Sequence, residues 1–303
     1  MESTSRRSRW DDSGVAVAIL QPRDIEIFKL LSRYRYLQVD FIHAFVGGNL
    51  AALQRRLSIL AREPNGFLNR PDAQRRFANA NYRYQTYELA RRGKELLRDH
   101  ELPSGDARVG DERQFVHAMM VNNTLASIEL GVRRFGRFIT LQEIRSHPNY
   151  TGPASINVSV SCRAANNTDR ITFNYRHDAL FGIEHDGFRF FQLEAEHLNR
   201  VQSRSLRQTS FLKKFLAIQQ IVERQLYRTQ WGVPNLVTLV AAPNRRHVDA
   251  MKEVVLDQTG GKGASHILFR AVPAIDQLVP ISPNPDIAVS AWERAGYSEF
   301  SFV

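Results

Sequence analysis

The amino-acid sequence predicts an α+β chain of two folded parts. The first is a helical module closed by a β-hairpin, and the second is a mixed sheet flanked by helices. Three observations predict this. Helical apolar spacing runs through residues 22–63. Two β-rich runs then bracket a polar loop at 71–81. From residue 138 to 270 strand patterns alternate with helical ones.

The bulk properties agree. At 303 residues the chain is long enough for two domains, and 43% hydrophobic with 24% charged residues is the composition of a folded protein. No run of about 18 apolar residues is present, so no membrane span is expected. The first residues are polar and basic without an apolar signal region, so export is not expected. Cys162 is the single cysteine, which rules out an internal disulfide and a multi-cysteine zinc site and suits a reducing, cytoplasmic setting. The formal charge is +10, and +6 of it falls within residues 1–110. Such a basic module attracts phosphate backbones, and its Arg-rich content suits bidentate phosphate and guanine contacts.

Residues 1–20 read as a disordered basic arm. Pro22-Arg23-Asp24 opens a helix carrying Ile25, Phe28, Leu30 and Leu31, and a short second helix spans Gln38 to Phe45. Gly47-Gly48-Asn49 is a turn, with Asn49 suited to cap the next helix. That third helix, Leu50 to Glu63, has a stripe of Leu50, Leu53, Leu57 and Leu60. Ala51, Arg55, Ser58 and Arg62 lie opposite, flanked by Gln54 and Arg56. A leucine back with a small, Gln, Arg and Ser front can lie in a DNA major groove, although many solvated amphipathic helices share the pattern. Strands at 66–70 and 82–89 follow, joined by a loop holding Arg75 and Arg76, and a further helix begins at Ala90. This order makes residues 21–105 a winged helix-turn-helix. The DNA-contact candidates are Asn49, Gln54, Arg55, Arg56, Ser58 and Arg62 on the recognition helix, with Arg75 and Arg76 in the wing.

Pro103 to Gly110 marks a domain boundary. The second domain, residues 111–278, starts with a long helix from Asp111 to Phe135 and a strand from Phe138 to Ile144. Residues 147–169 read as an irregular insertion with a short strand at Ile156 to Val160. A hairpin then joins Arg176–Phe181 to Phe190–His197 through His185-Asp186-Gly187. A long helix at 205–228, a buried strand at 236–241, a helix at 244–256 and a strand at 266–270 complete the sheet. Residues 279–303 form a tail rich in proline and aromatics, able to pack back on the domain or to dock a protein partner.

The hairpin carries the chemistry. Alternation places Phe188, Phe190, Gln192, Glu194 and Glu196 on one face of its second strand, and Asp178 brings a third carboxylate. A strand that starts in a core and ends in acids is the plan of a metal-dependent nuclease sheet. Ordinary surface acids at a strand end look the same. His177, His185 and His197 lie near the hairpin but lack the spacing of a metalloprotease pair. Gly260-Gly261-Lys262-Gly263 lacks that of a phosphate-cradling loop, and no nucleophilic serine elbow occurs.

Asn49 to Arg62, Tyr87-Glu88-Leu89-Ala90-Arg91-Arg92-Gly93, His177-Asp178-Ala179 and Leu193-Glu194-Ala195-Glu196 resemble the replication-relaxation family of plasmid and phage proteins. The resemblance covers most of residues 22–257. It implies a winged helix followed by a restriction-endonuclease-like, PD-(D/E)xK domain, and it implies double-stranded DNA binding tied to replication, maintenance or transcription regulation of a mobile element. In the nuclease pattern His177 replaces the expected proline and Glu196 the expected lysine.

Two readings follow. In the first, a homodimer binds double-stranded DNA with no cofactor required, and the second domain serves dimerisation or regulation. In the second, the chain is a Mg²⁺-dependent endonuclease in which Asp178, Glu194 and Glu196 hold the metal. There Lys213 or Lys214 supplies the missing charge, and Glu129 completes the shell. Glu196 in place of lysine favours the first.

Overall fold

A computed structural model describes residues 17–72, 74, 85–102, 112–150, 152, 155–164, 167–196, 201, 206, 210–272 and 281–303. The chain divides into two compact units, residues 1–115 and 116–303. Arg75, Arg76 and His197 lie outside the described residues, as do most of the basic arm and the linker at 103–110.

The first unit runs α1 (Pro22–Tyr34), β1 (Leu37–Gln38), α2 (Val39–Val46), α3 (Leu50–Ala61), β2 (Leu68–Asn69), β3 (Thr86–Leu89) and α4 (Arg91–Asp99). Pro22 starts α1 inside a capping box in which Asp24 accepts from the Gln21 N–H at 2.8 Å. Asn49 caps α3 by accepting from the Ala52 N–H at 2.9 Å. The three short strands form an antiparallel sheet in the order β1-β3-β2. Ile27, Phe28, Leu31, Phe41, Leu57 and Leu97 are among the buried core residues. Gly93 lets α4 close on the sheet, because a Cβ there would sit 2.5 Å from the Phe67 carbonyl oxygen. The end of the arm is tied down rather than free. Ala18 N–H donates to Asn65 Oδ1 at 2.8 Å, and Ile19 O accepts from Arg56 at 2.6 Å.

The second unit is a six-stranded mixed sheet between helical layers. Its strands are β4 (Arg137–Ile139), β7 (Ala179–Glu184), β8 (Phe188–Ala195), β9 (Val237–Ala242), β10 (Ala264–Ala271) and β11 (Glu293–Ala295). Their order is β11-β10-β9-β8-β7-β4, with β8, β9 and β10 parallel and the others antiparallel. One face packs Leu180, Val240, Ile267 and Phe269 against α7 (Phe211–Glu223), α9 (Arg245–Gln258) and a separate ribbon, β5 (Ile156–Ala164) with β6 (Asn167–Tyr175). The other face packs Phe181, Phe191, Leu193 and Leu239 against α5 (Glu112–Val132) and residues 287–302.

Three details depart from the sequence expectation, and a fourth decides between the two alternatives it left for the tail. The run Phe138–Ile144 is a strand only to Ile139, because Thr140 and Glu143 form a reciprocal capping box that starts α6 (Leu141–Ser146). The insertion at 147–169 includes a regular antiparallel ribbon, whose Ile156, Val158 and Val160 face the core. The helix expected over 205–228 breaks at Gln225, which adopts φ 51° before α8 (Leu226–Trp231). The C-terminal tail is part of the fold, for β11 pairs with β10 and Trp292 and Phe302 are buried.

Candidate functional site

Five elements of the second unit converge on one end of β8. Asp178 N–H donates to Leu193 O at 3.1 Å, which registers the start of β7 on β8. Asp178 Oδ2 in turn accepts from Ala195 N–H at 2.8 Å. Strand alternation turns Glu194 and Glu196 to the same face, where both are buried. Ser210 caps α7 by accepting from Lys213 N–H, and this sets the helical phase. Lys214 then falls on the same stripe as Phe211, Ile218 and Ile221 and reaches inward. Its Nζ lies 2.7 Å from Glu194 Oε2 and 2.7 Å from Glu196 Oε1. Tyr175, at the end of β6, donates its hydroxyl to Glu194 Oε1 at 2.5 Å. His117 on α5 places Nε2 3.2 Å from Asp178 Oδ2.

The structure thus brings together Asp178, Glu194 and Glu196 as the hairpin reading placed them. It adds Lys214, which the sequence offered only as a choice with Lys213. It also adds His117 and Tyr175, which the sequence reading missed. Lys213 stands apart, with Nζ 4.3 Å from the centre of the Phe173 ring. Glu129 is twelve residues along α5 from His117, roughly 18 Å at the rise of an α-helix. It pairs with Arg133 at 2.6 Å.

The electrostatics follow from burial and partners. Burial pushes the Glu194 carboxyl up to about 7, with nearby Asp178 adding to the rise and Lys214 opposing it. Burial also works against the Asp178 charge. Lys214, His117 and the Ala195 N–H nevertheless hold its carboxyl below the ordinary range. Burial disfavours the Lys214 ammonium, but the three carboxylates hold its pKa well above the usual lysine value. Burial beside Glu194 keeps the Tyr175 hydroxyl protonated. The hydrogen bond to Asp178 raises His117. His177, buried edge-on against Trp231, is driven down to about 4 and stays neutral.

These directions predict a pH dependence. Glu194 and His117 both have folded pKa values above their unfolded ones. Their contributions are complete at low pH and are lost as pH rises through the folded values. Asp178 has the opposite sign, and its contribution is lost only as pH falls below about 4. His177, held down at about 4, works the other way, costing stability as pH falls from about 6.5 toward 4, and so offsets the Glu194 change there. Thermal unfolding should therefore show near-level stability between about pH 5 and 6.5 and a decline toward pH 8. Glu194→Gln should flatten that decline. A profile that rises from pH 5 to pH 8 would contradict the assignment.

Mg²⁺ takes hard oxygen ligands, and Asp178, Glu194 and Glu196 are of that type. Their arrangement is another matter. Among the described residues no three His, Cys, Asp or Glu side chains are placed to hold a metal ion. Lys214 occupies the space between the two glutamates, and His117 takes the aspartate. As placed, Glu194 and Glu196 meet an ammonium and Asp178 an imidazole.

In the first unit, Leu53, Leu57 and Leu60 of α3 are buried, whereas Leu50 is 37% exposed and leaves the stripe. Ala51, Gln54 and Arg55 are exposed and Ser58 is half-buried. Arg56 is committed elsewhere. Its Nη2 and Nε bond buried Asp24 at 2.5 and 3.0 Å, fastening α3 to the start of α1. Arg62 is the C-cap, in extended conformation and half-buried, one residue beyond the helix. Asn49 uses its side chain as the N-cap.

Comparisons with protein families, with curated proteins and with solved structures found no match to this chain. No helix among the described residues is long and apolar enough to cross a membrane.

Proposed function

We propose that the chain is a double-stranded DNA-binding protein of the replication-relaxation kind, controlling replication or transcription of a plasmid- or phage-type element. Its first unit acts as a winged helix-turn-helix, and its restriction-endonuclease-like second unit serves dimerisation or regulation. The observation that carries this reading is α3. Its Leu53, Leu57 and Leu60 are buried and its Asn49 cap is satisfied, so Gln54 and Arg55 are presented outward, with Ser58 half-buried beside them. Small residues there allow close approach, while Gln and Arg can read base edges. The β1-β3-β2 sheet beside α1, α2 and α3 supports the assignment, as does the +6 excess of residues 1–110.

The test is a mobility shift on DNA from upstream of the coding region, with Mg²⁺ or Mn²⁺ and with chelator. A metal-independent, salt-sensitive shift without cutting is the expected result. Arg55→Ala should weaken the shift by about 1–3 kcal/mol, the range for one bidentate base contact. Unchanged affinity would remove α3 as the reading helix. Arg56→Ala should act through stability instead.

One observation favours the second reading, a metal-dependent endonuclease. Lys214 returns a lysine to the acid cluster from the next helix, although Glu196 holds the usual position. Cleavage that requires Mg²⁺ and disappears in Asp178→Asn would establish it and displace the regulator.

A further inference from the structure

The second unit carries a cleft of about 860 Å³ at the other end of β8. Phe190 in its wall precedes Glu194 by four residues, roughly 13 Å along a strand, so the cleft is distinct from the acid cluster. The volume lies in the range of pockets that hold small organic ligands.

The walls are aromatic. Phe188 is 51% exposed, Phe190 and Tyr150 are half-buried, and Trp231 is fully buried behind them. The Trp231 indole N–H has no hydrogen-bond partner among the described residues. Three partly exposed rings gathered in one cleft offer a ligand an aromatic surface.

The walls are also closely packed at the backbone. Gly232, at φ 64°, ends α8 with its Cα against the loop after α6, where a Cβ would lie 2.0 Å from Asn149 O. Only glycine permits this approach.

The rim carries two arginines, only one of which is matched by carboxylates among the described residues. Arg137 is balanced by Glu143 and Glu184, with ion pairs of 2.7 and 2.6 Å. Arg228 is exposed and its Nε donates to Pro234 O at 3.0 Å. No acidic side chain pairs with Arg228 among the described residues, which leaves it as the cation available to an anion.

Stacking aromatics beside an arginine suit a planar ring joined to an anionic group. We propose that this cleft binds a nucleotide, stacking its unpaired base on Phe188 and pairing its phosphate with Arg228. The choice of a nucleotide over other aromatic anions rests on the DNA-binding reading above. The same chemistry is offered by a free mononucleotide and by an unpaired base within a single strand.

The test uses the full chain with two probes, 2-aminopurine deoxyribonucleoside monophosphate and a short oligothymidylate carrying one 2-aminopurine. Binding is read from the probe's fluorescence. Duplex binding is measured in parallel by mobility shift. Phe188→Ala and Arg228→Glu alter exposed positions, so both variants should fold, as circular dichroism would check. Each should weaken probe binding roughly tenfold, the scale of one base–aromatic stack, and leave duplex binding through α3 intact. Binding of the mononucleotide makes the cleft an effector site, and binding of the oligonucleotide alone makes it a single-strand site. Absence of binding by both probes would overturn the proposal, as would binding that neither variant weakens. Loss of the duplex shift with nucleotide binding retained would instead overturn the DNA reading and leave the cleft standing.

Discussion

Lys214→Met should destabilise the second unit by about 3–5 kcal/mol at pH 8, the cost of leaving a buried charge without its partner. The ammonium bridges Glu194 and Glu196, both almost wholly inaccessible to water, at 2.7 Å each. A methionine of similar length fills the space but answers neither carboxylate. The loss should shrink toward pH 5. Glu194 already titrates at about 7 with Lys214 holding it down, so removing the lysine raises it further and the carboxyl takes up a proton. Lys214→Met/Glu194→Gln should then recover part of the loss, and a double-mutant cycle gives the coupling. Chemical unfolding of the four proteins at both pH values checks this. Equal stability of Lys214→Met and the parent at pH 8 would mean that the cluster is not held by charge matching.

Trp292→Ala should cost about 3–5 kcal/mol, the range for emptying a large aromatic from a packed core. Trp292 is fully buried, donates its indole N–H to Ile287 O at 3.0 Å, and stacks on Phe302. Its backbone exchanges hydrogen bonds of 2.7 and 2.8 Å with Phe300. Phe302 in turn lies against Phe191 of the central strand β8. The urea midpoint should fall with little change in slope. A tail that serves only to dock a partner would show no such loss.

Much of the acid cluster was legible. Alternation along β8 fixes the shared face of Glu194 and Glu196, since the period of a strand leaves no other choice. The Asp-Gly pair at 186–187 marks the hairpin, and both residues adopt positive φ. Lys214 was half legible. It falls on the Phe211, Ile218 and Ile221 stripe, a position where a lysine must find a buried partner. Lys213 does not, and the Ser210 cap that fixes this phase is weak evidence in a sequence. His117 lies on the stripe of Met120, Val121, Thr124 and Ile128, and Tyr175 continues the alternation of Ile171 and Phe173. Those signals say that both side chains face inward, but not what they meet.

In the first unit the buried Leu53, Leu57 and Leu60 of α3 and its Asn49 cap were readable from spacing alone, whereas Leu50, at the same spacing, is exposed. The role of Arg56 was not, because its partner Asp24 lies thirty-two residues earlier. The capping box of Thr140 and Glu143 was written locally and overrides the β-prone run before it.

The sequence by itself therefore determined the α+β class, the buried leucine side of α3, the shared face of Glu194 and Glu196 on β8, and the positions of the hairpin and the Asn49 cap. Each rests on a period or a contact within a few residues. Tertiary structure alone decided that a lysine and a histidine from two helices complete the acid cluster, that Arg56 braces α1, and that the aromatic tail belongs to the core. Those outcomes depend on which distant surfaces meet, and side chains remote in sequence carry no local periodicity that names their partners.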